Sequence, residues 1–230
     1  MCGRYSLAGP NPAQVRAAYP VAESVEVRRR FNVAPGDYVL AVTTSRDGAP
    51  RGELLRWGLV PSWAETPDSA MKMINARVET VHERPAYRSA FEHMRCLVLA
   101  DGFYEWQRSA AGPKQAFHIT AAGRSLFAYA GLWSVWHGAD GSVLRTCTIL
   151  TTAANAAIAS LHDRMPVVLP RQVESVWLDP ATPSGELRDL LAGLPAEMTR
   201  VRAVGPAVND ARYDGPACLE DAAPAQPALF

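Results

Sequence analysis

The sequence predicts a single α+β domain with a largely antiparallel, curved or barrel-like β core and short peripheral helices. Segments of about 5–8 residues rich in Val, Ile, Leu and aromatic residues recur between turn signals, as strands do. Helical patterns are short and scattered, and they do not alternate regularly with strands, which argues against a doubly wound parallel sheet. A chain of 230 residues can bury a core without disulfides or a structural metal. No internal repeat or domain boundary is visible, so residues 1–221 are taken as one domain. Residues 222–230, alternating Pro and Ala, are expected to be a disordered tail.

The elements follow from local signals. Asn11 before Pro12 is an N-cap with proline at the first helical position, which starts a helix over 12–18. Apolar runs predict strands at 38–44, 53–57, 95–99, 102–107, 115–119, 126–132, 144–151, 166–169 and 199–204. Turns are expected at Asp47-Gly48, Ala111-Gly112-Pro113, Ala122-Gly123 and Asp140-Gly141. Further helices are expected at 87–94, 155–161, 172–177 and 185–191, with a weak one near 79–81. Residues 62–72 read as an exposed loop.

Lys plus Arg and Asp plus Glu are each 23, so the net charge is zero. That excludes a basic nucleic-acid coat and an acidic tail, but not a local basic groove. Residues 1–100 carry 13 basic and 10 acidic side chains, a mild tilt that the remainder reverses. No run of 18 apolar residues occurs, and the start lacks a signal-peptide pattern. The expected setting is a reducing, bacterial-type cytosol, with no membrane association. Cys2, Cys96, Cys147 and Cys218 form no C-x-x-C pair and no zinc-ligand spacing, so no metal and no cofactor are expected. Cys96 and Cys147 sit in apolar strands as small hydrophobes.

Five places ask for chemistry. Removal of Met1 would make Cys2 the first residue. Its α-amine and thiol then form a 1,2-aminothiol, which captures aldehydes as a five-membered thiazolidine. Asn75, Arg77 and Glu79 recur at period 2 and would share one side of an extended segment. They could bind phosphate, orient a terminus or form a surface ion pair. Glu105 shares strand parity with Phe103 in Ala100-Asp101-Gly102-Phe103-Tyr104-Glu105-Trp106. On a covered face its pKa would rise into general acid–base range. His162, in Leu161-His162-Asp163-Arg164-Met165-Pro166, lies on a loop between a helix and a strand, where an imidazole is useful or merely caps the helix. Trp57 reads as core, and Trp63 as an aromatic face for stacking a base. His82, His93, His118 and His137 show no partner pattern and read as ordinary.

In this order the motifs resemble the SOS-response-associated peptidase (SRAP) family, the abasic-site processing proteins. The matching pieces are Met1-Cys2-Gly3-Arg4-Tyr5, Phe31-Asn32-Val33-Ala34-Pro35-Gly36, Trp57-Gly58-Leu59-Val60-Pro61-Ser62-Trp63 and Ile74-Asn75-Ala76-Arg77-Val78-Glu79-Thr80. The aromatic strand and the His162 loop follow, with a weaker piece over 201–209. The resemblance implies the SRAP fold, a basic groove for single-stranded DNA, loss of Met1, and covalent crosslinking of Cys2 to abasic sites during the SOS response to DNA damage. It places Asn75, Glu105 and His162 around Cys2 as the catalytic set. Arg4, Arg77 and Arg164 would hold phosphates, with Trp63 stacking. Family members can carry paired aromatics at the tryptophan loop, whereas here Trp63 is followed by Ala64. The enzyme implied is a DNA–protein crosslinker with some lyase activity, acting as a monomer. A thiol peptidase (hydrolase) using Cys2, His162 and Asn75, and a non-catalytic single-strand binder, remain as alternatives.

Overall fold

A computed structural model describes residues 2–107 and 114–223. In chain order its elements are β1 (Tyr5–Leu7), α1 (Pro12–Ala18), β2 (Arg30–Val33), β3 (Tyr38–Thr44), β4 (Pro50–Trp57), β5 (Asn75–Arg77), α2 (Pro85–His93), β6 (Arg95–Ala100) and β7 (Gly102–Gln107). They continue with β8 (Gln115–Ala121), β9 (Phe127–His137), β10 (Val143–Ala153), β11 (Arg164–Pro166), β12 (Val168–Leu169), α3 (Glu174–Leu178), α4 (Ser184–Asp189) and β13 (Thr199–Val204).

The barrel-like core is a closed ring of five strands. β3 pairs antiparallel with β4 and β6, β6 with β9, and β9 with β10; a parallel contact of β10 with β4 (Thr146↔Arg56, Cys147↔Trp57) closes the ring. Beyond the ring, β10 also pairs with β5 and β11. A second, antiparallel sheet runs β13-β8-β7-β1-β2. Side chains alternate between two cores, as strand geometry requires. Val39, Ala41, Leu55, Trp57, Cys96, Val98, Tyr129, Cys147 and Ile149 come from all five ring strands and line its inside, joined by Tyr5, Phe103 and Ile119 of the second sheet. The intervening Leu40, Val42, Leu97, Leu99, Ala128 and Leu150 pack outward against Val15, Phe91, Trp177 and Leu187 of the helices. Tyr5 sets its ring edge-on to Trp57 (5.4 Å) and Tyr129 (5.7 Å). Burying an aromatic side chain of this size stabilises by roughly 3 kcal/mol, so Tyr5 ties the amino-terminal segment to the barrel.

The N-cap of α1 is a full capping box: Asn11 and Gln14 each accept the other's backbone N–H. The exposed loop expected at 62–72 ends in a 3-10 turn over Pro67–Lys72 with Ala70 buried. Four further departures from the sequence reading have physical causes. β1, β2 and β5 are three or four residues long, too short for a periodic signal. Residues 155–161 form turns, not a helix, because Asn155 Oδ1 takes the Ala157 N–H while its Nδ2 donates to the Leu194 carbonyl and Thr199 Oγ1. Residues 79–81 are also turn, with the Thr80 and Val81 N–H groups both returning to the Arg77 carbonyl. The strand expected at 166–169 is two pieces, because the Val167 N–H goes to the Leu150 carbonyl and the Ala130 N–H to that of Val167. The turn expected at 111–113 and the tail from 224 onward lie outside the described residues. Among the described residues, no helix is long and apolar enough to cross a membrane.

Candidate active site

Cys2 is fully buried, packed in the barrel interior rather than frayed. Asn75 Nδ2 donates to its carbonyl at 2.7 Å, and its thiol points to the Arg4 carbonyl at 3.7 Å. β5 supplies Asn75 by lying parallel along β10, with Asn75 opposite Ile149. Burial, reinforced by the negative charge of Glu105, pushes the Cys2 thiol well above its usual range, so the thiol is protonated at neutrality.

Glu105 sits on β7 opposite Phe117 and is 5% exposed. The parity argument holds, since Phe103 on the same face is also buried. Burial, with the charge of Asp163 adding to it, pushes the Glu105 carboxyl up to about 7. At that value the group can take or give a proton at physiological pH. The effect of Asp163 also places the His162 loop within electrostatic reach of Glu105. His162 Nδ1 lies 2.9 Å from the Arg164 N–H and 2.8 Å from Asp163 Oδ1. The backbone N–H needs a lone pair there, so the neutral ring carries its proton on Nε2; a protonated ring turns the Asp163 contact into an ion pair.

The arginines divide. Arg77 is exposed at the end of β5. Arg4 donates through Nη1 to Asn32 Oδ1 (2.8 Å) and the Val208 carbonyl (3.0 Å), and its guanidinium lies 5.7 Å from the Trp106 ring. Arg164 is buried and grips Glu79 with both Nη atoms (2.6 and 2.9 Å) while also donating to the Thr151 carbonyl. The partner of Glu79 is therefore Arg164 rather than Arg77, and a phosphate reaches Arg164 only by displacing that carboxylate. Trp63 is 67% exposed and Trp57 fully buried.

The family model described as SOS response associated peptidase (SRAP) matches residues 1–211. The chain belongs to this family. It is 35% identical over 224 residues to the abasic site processing protein YoqW of Bacillus subtilis, covering 96% of this chain and 99% of YoqW. It is 27% identical to YedK of Escherichia coli, covering 94% and 97%. The abasic site processing protein HMCES of Xenopus tropicalis is 34% identical over 72% of this chain, a match that spans 56% of HMCES. Among solved structures, a Bacteroides thetaiotaomicron protein shares the fold at TM-score 0.82 and 21% identity, covering 96% of this chain and all of that one.

In this SRAP chain, Ser6, Asp101 and His118 form a buried cluster that motif reading passed over. In the sequence Asp101 is one member of the aromatic strand motif, and His118 reads as an ordinary histidine. Asp101 and His118 lie 95 and 112 residues from Ser6, a separation that no local pattern reports. Cys218 is likewise buried, in a small core with Tyr104 and Val208.

Proposed function

We propose that this chain processes abasic sites in single-stranded DNA by crosslinking to them through a thiazolidine. The observation that carries the reading is the Glu105 carboxyl near 7 beside a buried Cys2 held by Asn75. With Met1 removed, the Cys2 amine attacks the aldehyde carbon of the ring-opened sugar. The carbinolamine loses one water to give an imine; Glu105 supplies the proton that leaves with the hydroxyl, an effect of about 10²–10⁴-fold for general acid–base catalysis. The thiol then adds across the C=N bond: sulfur bonds to carbon, and the thiol proton ends on nitrogen. Aldehyde and aminothiol thus give thiazolidine and one water. Asn75 fixes the nucleophile, and His162, with its proton on Nε2, donates to the sugar ring oxygen during opening.

Arg77, the outer edge of Arg4 and Trp63 hold the flanking strand through phosphates and stacking, without reading sequence. Zero net charge makes binding to undamaged strands weak and salt-sensitive. The working form is a monomer in the cytosol or on the nucleoid. A Cys–His peptidase needs a thiol pKa lowered by its partner, whereas here burial raises it.

Purified protein, confirmed by intact mass to lack Met1, is mixed with an oligonucleotide carrying one abasic site. The expected product is a heat-stable adduct at protein plus oligonucleotide minus water, absent in Cys2→Ala and after selective capping of the amine. An adduct that survives amine capping, or none from trimmed wild type, overturns the thiazolidine reading and leaves the peptidase or the simple binder.

A further inference from the structure

Residues 2–9 deliver Cys2 to the site, yet β1 is attached to β7 by two register pairs, Tyr5↔Phe103 and Ser6↔Gly102. On its other side the pairing with β2 is irregular between Tyr5 and Leu7. Two pairs alone leave the register of so short a ladder to its buried side chains, of which Tyr5 is one. A slip of one residue would carry Cys2 about 3.4 Å along the strand and turn every side chain of the segment to the opposite face.

A buried side-chain chain locks that register. Ser6 Oγ donates to Asp101 Oδ1 at 2.5 Å, and the other oxygen of Asp101 accepts the N–H groups of Ala8 (2.7 Å) and Gly9. Because the single Ser6 proton goes to Asp101, His118 Nε2, 2.9 Å from the same Oγ, must be the donor. The ring is therefore neutral or protonated with hydrogen on Nε2, and burial lowers its pKa to about 4. Gly102 makes room: a Cβ there would lie 2.2 Å from His118 Nε2 and 3.0 Å from the Ile119 carbonyl. Asp101 stands immediately before β7, and Glu105 lies four positions further on. The three side chains thus join the strand that follows Cys2 to the strand that carries Glu105, with His118 reaching in from β8. Asn75 pins the Cys2 end, and this cluster pins the other.

We infer that Ser6, Asp101 and His118 are positioning residues for the crosslinking reaction, holding Cys2 at working distance from Glu105 by fixing the register of β1 on β7. The inference rests on the function proposed above. An error of about 1 Å between reacting groups can lower a rate around 100-fold, while flanking-strand binding uses other residues.

The test compares Ser6→Ala, His118→Leu and His118→Gln with wild type, the glutamine keeping an N–H near the position of Nε2. Adduct formation is timed across concentrations of the abasic oligonucleotide, and hydrogen exchange is followed for residues 4–9. We expect Ser6→Ala and His118→Leu to crosslink 10–100-fold more slowly at saturating DNA, with half-saturation within twofold of wild type and faster exchange in 4–9. His118→Gln should return the rate to within threefold. Wild-type rates in Ser6→Ala and His118→Leu despite faster exchange, a loss that only tracks the folded fraction, or no recovery in His118→Gln each overturn the positioning role. Absence of adduct from wild type overturns the crosslinking function, and this role with it; faster exchange in the variants then marks the cluster as a purely structural lock.

Discussion

Two buried carboxyls stand four residues apart at the start and middle of one strand segment, and the fold treats them in opposite ways. Asp101 accepts three hydrogen bonds, from the Ser6 hydroxyl and the N–H groups of Ala8 and Gly9. Glu105 is buried to a similar degree, but burial dominates its environment and lifts its pKa to about 7. The donors around Asp101 make it a structural acceptor, whereas desolvation of Glu105 disfavours its charged form and lets the group exchange protons near neutrality. The same strand therefore carries a fastener at one end and a proton carrier further on.

Substituting the two acids should separate these roles most sharply. Asp101→Ala strands two buried donors, the Ser6 hydroxyl and the Ala8 N–H, at roughly 1–3 kcal/mol each, so urea denaturation should show a loss on the order of 2–6 kcal/mol. Glu105→Gln should cost crosslinking about 10²–10⁴-fold while the protein stays folded. Equal stability losses in both variants would erase the distinction.

The proton balance gives a second, smaller contrast. Glu105 has a folded pKa near 7 against an ordinary 4.5, so between those values the folded chain holds the extra proton and stability falls as pH rises. His118 has a folded pKa near 4 against 6.5. Between those values the unfolded chain holds the extra proton, and stability rises with pH. Each slope is at most about 1.4 kcal/mol per pH unit, and from pH 4.5 to 6.5 they oppose one another. Denaturation across pH should show Glu105→Gln gaining on wild type as pH rises from 4.5 to 8, by on the order of 3 kcal/mol in all. His118→Gln should gain as pH falls from 6.5 to 4. Parallel curves for wild type and Glu105→Gln would mean that Glu105 is not raised in the folded state.

What the sequence made legible follows the same division. Strands such as β3, β6 and β9 announce themselves by apolar runs between turns, and Glu105 by its parity with Phe103. Cys2 and Asn75 stand out in the sequence because their chemistry is distinctive and each sits in a short motif, and the fold joins them through the Asn75 amide and the Cys2 carbonyl. Ring closure was not, because a parallel contact of β10 with β4 joins segments nearly a hundred residues apart through two pairs. The Ser6–Asp101–His118 cluster was not, because each member alone has an ordinary explanation. Arg164 reads as a phosphate ligand by type, and only the fold shows its guanidinium closed on Glu79.

Trp63 tests whether chemistry and strand binding are as separate as the buried acids imply. It is the most exposed of the large apolar side chains in the described residues, at 67%. Its removal should therefore change stability by no more than about 0.5 kcal/mol. Stacking of one base on an aromatic ring is worth about 1–3 kcal/mol, so Trp63→Ala should weaken binding of an undamaged single strand by roughly 5- to 150-fold, read by fluorescence anisotropy at fixed salt. At saturating abasic oligonucleotide its crosslinking rate should equal that of wild type, since Cys2, Asn75 and Glu105 are untouched. A slower rate at saturation would mean that Trp63 also sets the pose of the sugar, so that register along the DNA, like register along β1, belongs to the reacting geometry.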